Sequence, residues 1–176
     1  MIEMTDIEIE QALIAGRNAD ALRREFGEAL YEDLRNAAAA AHATRFSESI
    51  GPRRKVLILP GILGSKLSVE SSGDSDLVWF NPARLALGEI DRLKLRRNDG
   101  VVPSGVFWVA YLKLKLRLAA AGFEVEWAPY DWRKPIAAEA ARLMRRLRDS
   151  HARDVMLVCH SMGGLVARAM ADGDQT

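Results

Sequence analysis

The apolar residues divide the chain into an all-helical beginning and a longer part in which strands and helices alternate. Between residues 22 and 34, large apolar side chains recur every four positions, which predicts one continuous amphipathic helix. A shorter helix precedes it, because Thr5 and Glu8 have the spacing of a capping box and Gly16 ends the pattern. We therefore expect residues 1–50 to form an N-terminal helical extension.

Three short runs in the second part predict strands. Residues 56–59 are a compact apolar run, typical of a strand that is covered on both faces of a sheet, and residues 123–127 and 155–158 predict two more. Helices are predicted over residues 106–121 and 136–148, the second with a clear apolar face. This alternation predicts an α/β fold with a parallel sheet core, helical crossovers and flanking helices.

The long connection after the first predicted strand has weaker signals. Residues 68–76 are rich in Ser, Gly and Asp and predict a loop. A helix is expected to begin at Asn81-Pro82 and to continue towards Ile90, since proline is favoured at a first helical position. Residues 98–100 predict a turn.

Ser161 is the strongest candidate for chemistry. It lies between the strand predicted over residues 155–158 and a helix that begins near Met162. Cys159 and Gly163, two positions to either side, are small enough for the tight turn of a nucleophile elbow, whose usual spelling is G-x-S-x-G. Backbone N–H groups at the start of the helix can bind an oxyanion. The pattern predicts a serine nucleophile for acyl transfer, the alternative being an ordinary serine in a tight turn.

A second glycine-flanked turn follows the first predicted strand. In Pro60-Gly61-Ile62-Leu63-Gly64-Ser65 the glycines let backbone amides approach a substrate carbonyl, and elbow hydrolases take their second oxyanion donor from this loop. The same segment does not fit a phosphate-binding loop, which needs four residues between its glycines and lysine after the second.

Two other polar residues are weaker candidates. His160 adjoins the serine, but consecutive side chains on such a turn point in different directions, so we expect it to pack beneath the elbow rather than to act as the base. Asp131 precedes the nucleophile in the chain, whereas the acid of these folds follows it. We expect Asp131 and Arg133 to hold the end of a strand and Trp132 to line a pocket.

Composition narrows the choice of partners and compartment. The net charge of +1 gives no reason to expect nucleic acid as a partner, and neither a metal nor a cofactor site is predicted. The one cysteine, Cys159, is expected to be a small buried hydrophobe and suits a reducing compartment. With no basic, apolar leader and no apolar stretch of transmembrane length, we expect a cytoplasmic protein.

Four motifs together resemble the lecithin:cholesterol acyltransferase family of α/β-hydrolases. They are Pro60-Gly61-x-x-Gly64-Ser65, Val78-Trp79-x-Asn81-Pro82, Tyr130-Asp131-Trp132-Arg133 and His160-Ser161-Met162-Gly163-Gly164. The resemblance covers about residues 55–172, and its most specific part is the Tyr-Asp-Trp-Arg block.

The resemblance implies transfer of a fatty-acyl group from a glycerolipid or other acyl ester to an alcohol or to water, through an acyl intermediate on Ser161. The backbone amides of Leu63 and Met162 would form the oxyanion hole. Residues 55–176 would be the N-terminal part of an α/β-hydrolase domain, and residues 65–104 would correspond to the family's lid-like insertion.

The sequence departs from the family at the triad. The family's catalytic Asp and His lie well beyond the elbow helix, where this sequence ends, and Asp172 and Asp174 are too close to Ser161 to replace the acid. We therefore expect an incomplete triad, little activity in the isolated chain, and a bare sheet edge that a second chain could complete. The alternatives are a non-catalytic remnant or binding module and a carboxylesterase-type serine hydrolase.

Overall fold

The computed structural model describes residues 4–47, 53–71, 74–82, 86–96, 99–150 and 154–173. It divides the chain into two compact units. The first unit contains the residues up to Val56 together with Trp108–Val125, and the second contains Leu57–Phe107 together with the residues from Glu126 onward.

The first unit is built from helices α1 (Asp6–Ala15), α2 (Ala19–Phe26), α3 (Glu28–Arg45) and α4 (Leu112–Ala120). The capping box at the start of α1 is confirmed: the Thr5 hydroxyl accepts the Glu8 N–H at 3.2 Å, and the Thr5 N–H donates to the Glu8 carboxylate at 2.7 Å. The continuous helix predicted over residues 22–34 is wrong. Gly27, with φ of 77°, separates α2 from α3, and the break leaves Leu30 exposed while Leu34 is buried.

Helices α3 and α4 form the apolar centre of the first unit. Small residues on α3, Ala38 and Ala41, are fully buried, as are Leu112 and Leu116 on α4. The alanine run of α3 therefore allows close helix packing as well as supplying helix propensity. At the end of both helices the Thr44 hydroxyl donates to the Ala120 carbonyl at 3.0 Å.

A buried ion cluster joins α1, α3 and α4. Lys115 is 8% exposed, and its ammonium lies 2.5 Å from an Asp6 carboxylate oxygen and 4.0 Å from Glu10. Glu10 is 4% exposed and pairs with Arg45 at 2.8 Å. Each charge in this cluster has an opposite charge beside it, which is the condition for burying it at tolerable cost.

The strands are β1 (Lys55–Leu59), β2 (Ser65–Ser71), β3 (Asp74–Trp79), β4 (Val101–Val106), β5 (Glu124–Trp127) and β6 (Met156–Cys159). A parallel sheet has the order β5-β1-β6, which confirms the mixed α/β class and the three strands predicted for it. Residues 56–59 of the central strand are all buried, as their uninterrupted apolar run predicts.

The loop predicted over residues 68–76 is wrong. Most of that segment belongs to an antiparallel sheet of order β3-β2-β4, and residues 72 and 73 lie outside the described part. Val69 pairs with Asp76 on one side and with Val101 on the other, and the Ser68 and Ser104 hydroxyls are 2.7 Å apart. Polar side chains can occupy these strands because the ladder is made by backbone groups.

The helix expected from Asn81 towards Ile90 is described only in part. Residues 83–85 lie outside the described part, and the 3₁₀ helix Glu89–Leu93 follows. The turn predicted over residues 98–100 also lies partly outside it, at residue 98.

The helix predicted over residues 106–121 begins later than expected. Its first residues form the end of β4 and the 3₁₀ helix Trp108–Ala110, and only Leu112–Ala120 is α-helical. Gly122 follows it with φ of 90°, in keeping with the predicted C-terminal glycine.

Two helices of the second unit cover one face of the parallel sheet: α5 (Ile136–Asp149) and α6 (Met162–Gly173), close to the predicted helices. Ala140 and Leu143 of α5 and Val166 and Met170 of α6 pack in one buried cluster with residues of β1. Among the described helices, none is both long enough and apolar enough to cross a membrane.

We predict that Lys115→Ala lowers the free energy of unfolding by about 3 kcal/mol, because it leaves the partly buried Asp6 carboxylate without its ammonium and leaves the buried Glu10 carboxylate with Arg45 alone. The control is Lys113→Ala, two residues away, whose exposed side chain pairs with Asp33 and whose loss is expected to change stability much less. Urea unfolding of both variants measures the difference. Equal losses would contradict a special role for the buried cluster.

Candidate functional site

Ser161 lies on a tight turn between β6 and α6. Its backbone has φ of 51°, a left-handed conformation that is unusual for a residue other than glycine, and its side chain is exposed. The N–H of His160 donates to the Leu59 carbonyl at 3.0 Å, which fixes the start of the turn to the central strand. Strand, strained serine and helix follow one another as in a nucleophile elbow.

Gly163 allows the first turn of α6 to approach the end of β1. A Cβ atom at this position would lie 2.6 Å from the Pro60 carbonyl oxygen and 2.8 Å from that of Leu59. Both neighbours are backbone atoms and have little freedom to move. On the other side of the serine, Cys159 is half-buried, and burial raises the pKa of its thiol. Cys159 and Gly163, the small residues on either side of Ser161, therefore occupy the positions at which a tight turn needs small side chains.

The loop between β1 and β2 lies directly against the elbow. A Cβ at Gly61 would be 3.1 Å from Ser161 Cβ and 2.9 Å from His160 Nδ1. The Gly64 N–H donates to the Gly61 carbonyl at 3.0 Å, and Leu63 inside this turn has φ of 61°. The two loops that carry the predicted site residues thus meet, and each contains a non-glycine residue in the left-handed region.

Several backbone N–H groups near the serine have no acceptor among the described residues, and those of Leu63 and Met162 are among them. Met162 is the first residue of α6, where N–H groups have no partner inside the helix. The next two N–H groups are occupied, since Gly163 donates to the His160 carbonyl and Gly164 to the Ser161 carbonyl, both at 2.9 Å. An incoming oxyanion is a suitable acceptor for the N–H groups of Leu63 and Met162.

Aromatic side chains hold the loop that carries Leu63. The Tyr130 hydroxyl donates to the Pro60 carbonyl at 2.9 Å, and the Trp79 indole N–H donates to the Leu63 carbonyl at 2.9 Å. The Trp132 indole N–H donates to the Ser65 carbonyl at 3.2 Å. Three carbonyls of one short loop are therefore fixed by donors from β3 and from the segment after β5.

An ion network is formed by the segment that follows β5 together with Asp99. Asp131 is fully buried and accepts two hydrogen bonds from the Arg133 guanidinium, at 2.9 and 2.8 Å. The other end of Arg133 lies 3.0 Å from Asp99, and Lys134 lies 3.5 Å from Asp131. The hydrogen bonds from Arg133 to Asp131 raise the pKa of Arg133. The structural role predicted for Asp131 and Arg133 is confirmed, and the Asp131 carboxylate is fully engaged.

An aromatic cluster borders the site. The Trp79 ring centroid lies 5.1 Å from that of Phe80 and 5.5 Å from that of Trp132, and Phe80 lies 6.1 Å from Phe107. The sequence indicated Trp79 and Trp132 through their motifs but gave no signal for Phe107, which follows β4 and reaches the cluster because its N–H donates to Gly64 at 2.9 Å. The cluster gives the site an apolar wall.

His160 does not pack beneath the elbow as expected. The residue is exposed, and its ring lies over Gly61, where the missing side chain leaves room for it. Of the other histidines, His42 belongs to the first unit and His151 lies outside the described part. The described residues contain no cluster of three side chains that could hold a metal ion.

Comparisons of the chain with protein-family models, with curated proteins and with solved structures gave no significant match. The chemistry of the site must therefore be inferred from its geometry.

We predict that Gly163→Ala lowers the free energy of unfolding by at least about 2 kcal/mol, because its Cβ would overlap two backbone carbonyls. Gly164→Ala is the matched control. Its Cβ would meet nothing within 4 Å, and alanine is the better helix former by roughly 1 kcal/mol. Thermal and urea unfolding should therefore show a lower stability for Gly163→Ala and an equal or higher stability for Gly164→Ala. Tolerance of alanine at both positions would contradict the close approach of α6 to β1.

We also predict that the stabilisation contributed by Asp99 depends on pH. Burial opposes its ionisation, but the hydrogen bond from the Val101 N–H and the charge of Arg133 outweigh burial, so the pKa of Asp99 is below its ordinary value. A lowered pKa in the folded state contributes stability that is present above the ordinary carboxyl pKa of about 4 and is lost as the pH falls through the folded value.

Asp99→Asn should therefore destabilise the protein at neutral pH, and its deficit relative to the original chain should shrink in acid. Urea unfolding of both proteins across the acid range measures this. A deficit that stays constant with pH would show that shape, and not charge, accounts for the role of Asp99.

Proposed function

We propose that the second unit carries a serine acyl-transfer site, of O-acyltransferase or lipase type, on part of an α/β-hydrolase-like fold. The observation that carries the proposal is the backbone of Ser161. An exposed serine with φ of 51° at the junction of a parallel strand and a helix has the arrangement that such enzymes use to present a nucleophile.

In the proposed reaction, Ser161 Oγ attacks the carbonyl carbon of an acyl ester while a base takes its proton. The electron pair of the C=O bond moves to the oxygen, and the N–H groups of Leu63 and Met162 stabilise the oxyanion. Collapse of this intermediate re-forms C=O and breaks the bond to the leaving alkoxide, which takes up the proton. An alcohol or water then repeats the sequence on the acyl-serine and releases Ser161.

The base of this reaction is not assigned to a residue. Asp131 and Asp99 are engaged by Arg133, and the ring of His160 lies over Gly61. Removal of triad members leaves the contribution of the oxyanion site, which is worth roughly 10³-fold over water. We therefore propose that the chain acylates slowly by itself, and that an acid–base pair supplied from elsewhere accelerates it.

The substrate class that we propose is an acyl ester with an apolar acyl chain, such as a glycerolipid. Trp79, Trp132, Phe80 and Phe107 line the approach to the loop, and Ile62 and Leu63 are 58% and 42% exposed beside them. Apolar surface next to a nucleophile favours a long acyl chain over an acetyl group. We place this activity in the cytoplasm, where a chain with one free thiol stays reduced.

The test uses p-nitrophenyl octanoate and p-nitrophenyl acetate with the full chain. We expect slow ester cleavage, faster for octanoate, and one octanoyl group on Ser161 detected by peptide mass spectrometry. Ser161→Ala should lose both the added mass and the cleavage. Ser150→Ala, at the exposed end of α5, should keep them.

Each other outcome has a definite meaning. Cleavage that persists in Ser161→Ala, or acylation at another residue, would overturn the assignment of the nucleophile. A clear preference for acetate would favour the carboxylesterase-type alternative over a lipase or acyltransferase.

A second candidate is an acyl-binding module without turnover. It is favoured by the engagement of Asp131 and Asp99 in ion pairs with Arg133, which leaves neither acid to support a base. Titration calorimetry with a non-hydrolysable octyl ether analogue distinguishes the two. Binding that is equal in the original chain and in Ser161→Ala, together with no acylation of Ser161, would select the binding module.

A further inference from the structure

One buried carboxylate of the second unit takes no part in the proposed reaction. Glu139 lies in the first turn of α5, and only 2% of it is exposed. Its carboxylate accepts the Asp131 backbone N–H at 3.1 Å and the Arg142 Nε–H at 2.8 Å. A buried ion pair adds little to stability by itself, since well-packed apolar residues of similar volume are often as good. The groups that Glu139 and Arg142, the α5 pair, hold in place are therefore the better guide to their role.

The α5 pair fixes the backbone on both sides of Tyr130. Arg142 Nη2 donates to the Pro129 carbonyl at 2.7 Å, immediately before Tyr130, and the carboxylate of the pair accepts the Asp131 N–H immediately after it. The Tyr130 N–H itself donates to the Ser65 hydroxyl at 3.1 Å, and the Tyr130 side chain is fully buried. A shift of the α5 pair therefore moves the Tyr130 ring with it.

The Tyr130 ring transmits this constraint to the loop beside the serine. Its hydroxyl donates to the Pro60 carbonyl at 2.9 Å. Gly61, the next residue of the loop, lies so close to the elbow that its Cβ would be 3.1 Å from Ser161 Cβ. Leu63, which carries an oxyanion donor in the proposed reaction, follows in the same loop. The position of the Leu63 N–H relative to Ser161 therefore depends on Tyr130, and through Tyr130 on the α5 pair.

We propose that Glu139, together with Arg142, is a positioning residue for the serine site. It touches neither the acyl ester nor Ser161, and it acts through Tyr130 on the loop whose Leu63 N–H binds the oxyanion. The inference rests on the proposed function, because an oxyanion donor has a role only in acyl transfer. Since the oxyanion forms only in the transition state, a displaced donor lowers kcat and leaves KM unchanged.

The kinetic test uses the full chain and p-nitrophenyl octanoate. Glu139→Ala removes the acceptor of the Asp131 N–H and releases Arg142, so we expect kcat to fall at least about tenfold while KM stays within about twofold. Glu139→Gln keeps an oxygen acceptor for the Asp131 N–H and should recover most of the rate. The matched control is Arg146→Met on the same helix, which removes an ion pair with Glu126 and should leave both constants unchanged.

A second readout does not depend on turnover. In ¹H–¹⁵N NMR spectra of the folded chain, the Leu63 amide resonance should shift in Glu139→Ala and stay in place in Arg146→Met. Circular dichroism and urea unfolding establish that each variant is folded under the conditions used. If Glu139→Ala does not fold, Arg142→Met provides the same two measurements, because it removes the hydrogen bond to Pro129 from a side chain that is one-third exposed.

The possible results separate the positioning role from the proposed function. A loss of kcat that Arg146→Met shares, a change in KM alone, or an unmoved Leu63 amide would each overturn the positioning role. Absence of ester cleavage by the original chain, together with a shifted Leu63 amide in Glu139→Ala, would overturn the proposed function and support the connection from α5 to the loop.

Discussion

The approach of the α6 backbone to the β1 backbone is the constraint on which the second unit depends. Gly163 lies so close to the carbonyls of Leu59 and Pro60 that no side chain fits between them. The Pro60 carbonyl also accepts the Tyr130 hydroxyl, so the same peptide group is held from two sides. Because the Pro60 peptide group is fixed, Gly61 is held against Ser161, and the turn that contains Leu63 comes next in the chain. The position of the serine and that of the loop beside it are consequences of one contact.

The strained backbone of the site is surrounded by hydrogen bonds that hold it in place. Ser161 and Leu63 both have positive φ, a conformation that costs about 1–3 kcal/mol at a non-glycine residue. The hydrogen bonds around these two turns keep the backbone from relaxing to a more favourable φ. Indole and phenol groups hold the loop carbonyls, and Arg133 holds the segment that carries two of these groups. The Tyr-Asp-Trp-Arg block is thus a support for the loop.

Local sequence signals predicted the parts of the fold that are determined locally. The central strand followed from an uninterrupted apolar run, and the elbow from small residues at fixed distances from Ser161. The antiparallel sheet was missed because Ser68 and Asp76 belong to strands only through backbone pairing with partners distant in sequence. The break at Gly27 was missed because the apolar spacing continues across it. Phe107 at the aromatic cluster depends on the path of β4, which no local pattern indicated.

The two tryptophans at the loop also give the molecule a spectroscopic property. Trp79 and Trp132 are in edge contact, and each donates its indole N–H to a carbonyl of the loop beside Ser161. Of the other two tryptophans, Trp108 is buried in the first unit and Trp127 is half-buried on β5. Indole emission depends on the hydration of the ring and on its hydrogen bond. The contribution of this pair to the intrinsic fluorescence therefore depends on the state of the loop, and it can be followed without a label.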